Sequence, residues 1–271
     1  MAAPRRPVPA SSHRVTLARA LSKLGVLSRS LARAAIAAGR VAVDGRICRD
    51  PDRWVDPDRG IALDGEPARR RAPAAFAFHK PVDVVTTRAD ERGRRTIYDL
   101  LPADLPWLFP VGRLDRDSSG LLVLTNDTGL GAALTGSALA KVYDVTFDRA
   151  VSDAELAPFR AGMRLPDRTE LRPVRARPVP GAGGRRVIME LREGRNRQIR
   201  RMAAAIGRTV VRLHRIAVGP VELGELAAGQ LRPLTAHERE ALREAVRQWR
   251  RGGGGGAGNG RPRRSKRARA A

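Results

Sequence analysis

The sequence predicts an α+β fold in two parts, and three observations carry that prediction. Strand-like and helix-like segments follow one another without the regular βαβ alternation of a parallel sheet. Short alternating or apolar runs end at Asp-Gly, Asn-Asp or Pro, which punctuate antiparallel strands. Residues 14–65 read as two short helices and Asp-Gly hairpins, a pattern that the later chain does not repeat. With 271 residues, 42% of them apolar, the chain can bury two cores. The second part is expected to hold a mixed, largely antiparallel sheet flanked by helices.

Taken in order, residues 1–13 are rich in Pro and Ala without a period and predict a disordered basic leader. Leu17, Ala18, Leu21 and Leu24 recur at helical spacing, and Gly25 closes that helix. Ser28 is placed to cap a second helix, with Leu31, Ala34, Ala35 and Ala38 as its apolar stripe and Gly39 as its end. Residues alternate around Asp44-Gly45, a strong hairpin signal, and Asp64-Gly65 follows Ile61-Ala62-Leu63. Residues 66–74 contain two prolines and no period, and read as a linker.

A second domain is expected over 75–251. It opens with a strand at Phe76–Lys80 that ends at Pro81, and Val82–Thr87 continues as strand or extended loop. Ile97–Leu101 predicts a short helix or turn. The stretch VGRLDRDSSGLLVLTNDTGL, residues 111–130, then sets Gly112-Arg113-Leu114-Asp115 just before the apolar run Leu121–Leu124. That run reads as a buried strand, so Asp115 lies in a loop held by a rigid scaffold, where functional side chains often sit. Gly129–Leu139 predicts a helix and Lys141–Phe147 a half-buried strand. Ser152 is placed to cap another helix, Arg172–Pro180 and Val187–Leu191 read as strands, and Ile199, Met202, Ala203 and Ile206 have helical spacing. Thr235 with Glu238 has the spacing of a capping box on a last helix. Residues 252–271, a glycine run followed by RPRRSKRARAA, predict a disordered basic tail.

Charge narrows the function. The 52 basic residues outnumber 28 acidic ones, a net charge of +24, which points to a polyanionic partner, nucleic acid before membrane. No apolar stretch is long enough to span a bilayer, and the N-terminus lacks the apolar segment of a secretory signal. Cys48 is alone, which fits a reducing cytoplasm. The four histidines are scattered, so no zinc site is legible. Neither a metal nor an organic cofactor is expected, and nothing calls for more than a monomer.

Leu24-Gly25-Val26-Leu27-Ser28-Arg29 and Ala38–Gly45 resemble the alpha-L RNA-binding module named after a small-subunit ribosomal protein. The resemblance implies that Arg29, Arg33 and Arg40 face RNA phosphates. Gly112–Asp115 followed by Ser118–Asp127 is similar to the catalytic signature of the pseudouridine synthases, specifically the bacterial ribosomal-RNA branch, whose members carry an alpha-L module ahead of the catalytic domain. Three further segments agree in order: Lys80-Pro81, Lys141-Val142-Tyr143 and Glu193–Met202. The likeness spans roughly residues 15–240.

What the resemblance implies is specific. Asp115 would be the aspartate that breaks the N-glycosidic bond of uridine, after which the detached uracil rejoins the ribose through carbon five. Such a carboxylate must be sheltered yet ionised, so it needs a cation beside it. The family position for that cation matches Arg200, with Arg195, Arg197 and Arg201 near enough in sequence to be confused with it. Tyr143 would stack on the target base, and Arg113 would contact RNA near the flipped nucleotide. Lys80, Arg195 and Arg197 join the expected RNA-binding set. Asp115 could attack the ribose or the base, or act through a glycal. Gly136–Ala140 is shorter than the family's usual segment, which bears on target choice. The expected partner is ribosomal RNA and the expected place the cytoplasm. A catalytically silent RNA-binding assembly factor shares the charge and the module, but it does not require Asp115, Tyr143 and a partnered arginine together.

Overall fold

The computed structural model describes residues 14–88 and 90–252. The leader at 1–13 and the tail beyond Gly252 lie outside the described residues. The first module runs β1 (Val15–Thr16), α1 (Leu17–Lys23), α2 (Arg29–Ala37), β2 (Val41–Val43), β3 (Arg46–Ile47), β4 (Trp54–Val55), β5 (Ile61–Leu63) and β6 (Glu66–Pro67). The Ser28 hydroxyl accepts a hydrogen bond from the Leu31 amide and so caps α2. The face that α2 buries is Ala32, Ala35 and Ile36, whereas Ala34 and Ala38 are exposed. The apolar stripe is therefore rotated from the expected one, because Ala32 and Ile36 pack with Leu17, Leu21 and Leu24 of the neighbouring helix segment.

Both Asp-Gly turns hold two successive residues at positive φ, 52° and 77° at Asp44-Gly45 and 53° and 85° at Asp64-Gly65. That geometry suits the twist of a two-residue hairpin. The second turn corrects the linker boundary. Glu66 and Pro67 pair with Leu63 and Ala62 as the edge of a four-stranded antiparallel sheet, β3-β2-β5-β6. Proline is tolerated there because an edge strand can spare a donor. The connecting segment proper is tied down by Asn126, whose side chain donates to the Ala72 carbonyl and accepts from the Ala74 amide.

The second domain continues with β7 (Ala75–Lys80), a 3-10 turn at Ile97–Leu100, β8 (Phe109–Pro110), β9 (Ser119–Thr125), α3 (Thr128–Gly136), β10 (Lys141–Phe147), α4 (Asp153–Ala161), β11 (Met163–Arg164) and β12 (Glu170–Leu171). It ends with β13 (Arg175–Pro178), β14 (Arg186–Leu191), α5 (Gln198–Ala205), β15 (Val210–Val218), β16 (Val221–Glu222), β17 (Leu231–Pro233) and α6 (Ala236–Arg251). Nine strands form one sheet in the order β13-β14-β10-β15-β9-β7-β17, with β16 on β15 and β8 on β9. The pairing of β15 with β9 is parallel and the others are antiparallel. This is the mixed, largely antiparallel sheet expected. Val82–Thr87 is not a strand: Asp83 takes a φ of 60°, and Val85 makes a single bridge to Thr96.

Alternation along the strands gives the sheet two faces. On the front, Phe78, Leu122 and Leu124 pack with Val84, Ile97 and Leu114, while Val145, Phe147, Val187 and Met189 pack with Leu156 and Phe159 of α4 and Ile199 and Met202 of α5. On the back, Ala77, Leu121 and Val123 pack with Leu130 and Leu134 of α3 and Leu242 and Val246 of α6. Capping boxes start α4 (Ser152 with Glu155) and α6 (Thr235 with Glu238), each worth about 1 kcal/mol.

Candidate active site

Asp115 lies in the loop from β8 to β9, on the front of the sheet. Three clamps hold that loop. Leu114 is buried, and the Thr86 hydroxyl both donates to its carbonyl (2.8 Å) and accepts from its amide (3.3 Å). From below, the Lys80 ammonium donates to the carbonyls of Ser118 and Pro81, each at 2.7 Å. At the loop's end Gly120 has φ 107°, and a Cβ there would overlap the backbone of Arg215. Only glycine lets β15 come that close in parallel register.

A cleft of about 340 Å³ opens over the loop, lined by Val85–Thr87, Arg94, Arg113–Asp117 and Arg197. Asp115 is partly exposed in it, with 29% of its side chain accessible. Arg113 is exposed on the rim. Arg197 sits at the start of α5 in the left-handed conformation, φ 49°. Its guanidinium forks onto the Asp117 carboxylate at 3.2 and 3.1 Å and comes within 3.6 Å of Asp115. Opposite, Arg94 is held by Asp90 through two side-chain hydrogen bonds.

Among the described residues the cation nearest Asp115 is therefore Arg197, not Arg200 as expected. Arg200 is 14% exposed against 44% for Arg197, and it is committed elsewhere. Its Nη1 donates to the Val210 carbonyl and its Nη2 to the Asp117 carbonyl, both at 2.8 Å, with Nε 3.3 Å from the Asp117 carboxylate. The difference follows from helix geometry: three residues into α5, Arg200 points back over the preceding turn, while Arg197 precedes the helix. Asp117 thus serves two arginines. Burial raises its pKa, but the Arg197 hydrogen bond and both arginine charges outweigh this and leave it below the usual carboxylate range.

Lys80 is corrected too. It is fully buried, so it supports the loop and cannot meet RNA directly. Burial pushes its ammonium down to about 8, against the attraction of Asp117, Asp115 and Asp83. Tyr143 is half-buried on the same front face, pairs in register with Arg215, and packs against the cluster that contains Leu114. It does not line the Asp115 cleft. Arg195 turns to Glu193 at 3.5 Å, in a loop that Gln198 ties to the same glutamate. In the first module Arg29 is exposed, Arg33 meets Asp52 (2.6 Å) and Arg40 forks onto Asp64. Among the described residues no group of His, Cys, Asp or Glu could hold a metal ion.

Three residues of this site escaped the sequence reading. Asp117 stood in the quoted signature, two positions after Asp115, and its acidity was the available signal. Thr86 carried none. Arg215 is 3% exposed, donates to the Leu121 carbonyl and keeps a buried Nη2 without a hydrogen-bond partner. The available signal was an arginine set among the apolar residues Leu213, Ile216, Ala217 and Val218 of β15.

Comparison with known proteins agrees with this architecture. The RNA pseudouridylate synthase family matches residues 75–205 and the S4 domain residues 15–69. An uncharacterized RNA pseudouridine synthase of Bacillus subtilis is 33% identical over 235 residues, covering 84% of this chain and 98% of that protein. Ribosomal small subunit pseudouridine synthase A of Escherichia coli is 34% identical, covering 80% and 94%. Ribosomal large subunit pseudouridine synthase B of Bacillus subtilis is 31% identical, covering 84% and 95%. A crystal structure of a pseudouridylate synthase superposes with a TM-score of 0.61 at 30% identity, covering 84% of this chain and 99% of the other. With its S4 module, its front-face cleft and relatives that align along nearly their whole length, the chain belongs to the RNA pseudouridine synthases, isomerases that turn uridine into pseudouridine in RNA.

Proposed function

We propose that the chain modifies uridine in ribosomal RNA and that Asp115 is the carboxylate that breaks the bond between uracil N1 and ribose C1′. The observation that carries this reading is the placing of Asp115: partly exposed in a cleft over the sheet's front, its neighbours clamped by Thr86 and Lys80, with a guanidinium 3.6 Å away. A reacting group gains most when its geometry is set before substrate arrives. After cleavage the uracil turns, carbon five bonds to C1′ and gives up its proton, and N1, freed from the ribose, takes up a proton, so the atoms of uridine are conserved.

The other residues divide the remaining work. Arg197, shared between Asp115 and Asp117, holds a guanidinium 3.6 Å from the Asp115 carboxylate and can meet a phosphate of the flipped nucleotide. Arg200 secures the loop through the Asp117 carbonyl. Tyr143, outside the cleft lining but packed against the cluster of Leu114 under the loop, would meet the base once it is displaced, with Arg113 and Arg195 on the RNA nearby. Arg29, Arg33 and Arg40 hold RNA on the S4 module through phosphates, and the basic leader and tail add non-specific charge. A monomer in the cytoplasm fits this role. Relatives named for either ribosomal subunit align equally well, so the target is a matter for experiment. Mapping pseudouridines in ribosomal RNA from cells with and without the gene tests the proposal. Loss of one site supports it and names the target, whereas an unchanged map would overturn the ribosomal assignment.

A further inference from the structure

The back of the sheet, away from Asp115, carries a second cationic surface at the β13 end. Strand register arranges it in rows. Arg186, Thr146 and Arg212 align across β14, β10 and β15; in the next row stand Arg177, Ile188, Asp144 and His214. Asp144 alternates with the front-facing Tyr143 and Val145, so these rows face the opposite way. At ordinary strand spacing, Arg186 and Arg212 lie about 10 Å apart along the sheet.

Asp144 is the centre of the arrangement. It is 3% exposed, and its carboxylate accepts two bonds from Arg186, both 2.7 Å, and one from Arg212 at 3.1 Å. Both arginine side chains remain about half exposed, at 47% and 51%. Arg175 is 78% exposed, 3.5 Å from Glu190, and Arg177 is exposed. Val211, beside Arg212, is an exposed aliphatic on the same strand. His214 is pushed down to about 4 by burial and by Arg212, and adds no charge.

Protection of a sheet edge would explain Arg175 and Arg177, which lie on the edge strand β13. It does not explain Arg186 and Arg212, which lie on interior strands. Nor does stability explain a nearly buried acid on an uncovered face, since a buried charge costs more than an apolar residue of the same size. What the acid does achieve is to fix two guanidinium groups in place while leaving the trio positive. Held guanidinium forks lose little freedom on meeting phosphate.

We propose that this face binds the phosphodiester backbone of a second segment of folded RNA, separate from the segment that enters the Asp115 cleft. The proposal rests on the reading that the substrate is a large structured RNA. It gives the enzyme a hold on architecture around its target, because phosphate contacts set register without reading sequence.

The test uses the full chain and two RNA probes, a short uridine-containing stem-loop that fills the cleft alone and a full-length ribosomal RNA transcript. Replacing Arg175→Ser and Arg177→Ser together should weaken binding of the transcript and lower its salt slope by about 2, with the stem-loop bound as before. Because Arg186 and Arg212 support Asp144, they are tested without mutation. An arginine-selective dicarbonyl reagent, read by mass spectrometry, should label them in the free protein and label them less with transcript but not with stem-loop. Equal loss on both probes, or unchanged labelling with transcript bound, would overturn this surface alone. If the unaltered protein bound neither RNA, the functional reading would fall with it.

Discussion

Arg33 in the S4 module and Arg197 beside the cleft each pair with an aspartate in a loop, and their surroundings set them apart. Arg33 and Asp52 are both more than half exposed, and among the described residues neither side chain forms another ion pair. Such pairs are screened by water and contribute little to stability, so they can exchange a carboxylate for an RNA phosphate at small cost. Arg197 meets a carboxylate that also holds Arg200, over a loop whose backbone is fixed by Thr86 and Lys80. There the same chemistry serves geometry. One charge pattern can thus leave a guanidinium free to trade partners in one place and fix a loop in another, according to what lies beneath it.

The largest effect is expected where the loop meets the sheet. Gly120→Ala places a methyl group against the backbone of Arg215 at a φ that side chains avoid, and should cost about 3 kcal/mol or more in urea unfolding, with activity falling in step. Lys80→Met leaves two carbonyls without their donor and should cost about 2–4 kcal/mol. Lys80 also supplies a pH signature. Its folded pKa, about 8, lies below the 10.5 of the unfolded chain, so the unfolded state binds more protons between those values. Stability should therefore rise with pH from about 8 to 10.5, and the advantage of wild type over Lys80→Met, which lacks this titration, should widen across that window.

A middle-sized effect tests the shared carboxylate. Asp117→Asn removes one side of the Arg197 fork and should lower kcat on the order of tenfold, with RNA bound no more weakly. Unchanged kcat would show that Asp117 is a surface acid like Asp52. Smallest in stability are Arg33→Ser and Arg40→Ser. Neither should move the melting temperature detectably, yet each should lower the salt slope of RNA binding by about 1. A large loss of stability would make the two regions alike and end the contrast.

How much of this could be read beforehand depended on range. Local chemistry was legible: the Asp-Gly turns, the Ser28, Ser152 and Thr235 caps, and the glycine-bounded strand behind Asp115 all formed as their residues dictate. Long-range choices were not. Five arginines lie between 195 and 201 or flank them closely, and only the left-handed turn at Arg197 decides which guanidinium approaches Asp115. Lys80 looked like an RNA contact because nothing in the sequence says that the carbonyls of Pro81 and Ser118 converge beneath it. Composition places the start of the linker at Glu66, whereas the Asp64-Gly65 turn folds that residue back into the sheet, a pairing that composition does not encode. Arg186 and Arg212 alternate correctly for one sheet face, but which strands would stand side by side was not visible in one dimension.

The most direct measurement is turnover of Asp115→Asn on the ribosomal RNA target, with affinity measured on the same preparation. If Asp115 breaks the bond, no pseudouridine should form and RNA should bind within a few-fold of wild type, since the substitution keeps the shape of the clamped loop and removes only the charge. Pseudouridine formed at the wild-type rate would contradict that role.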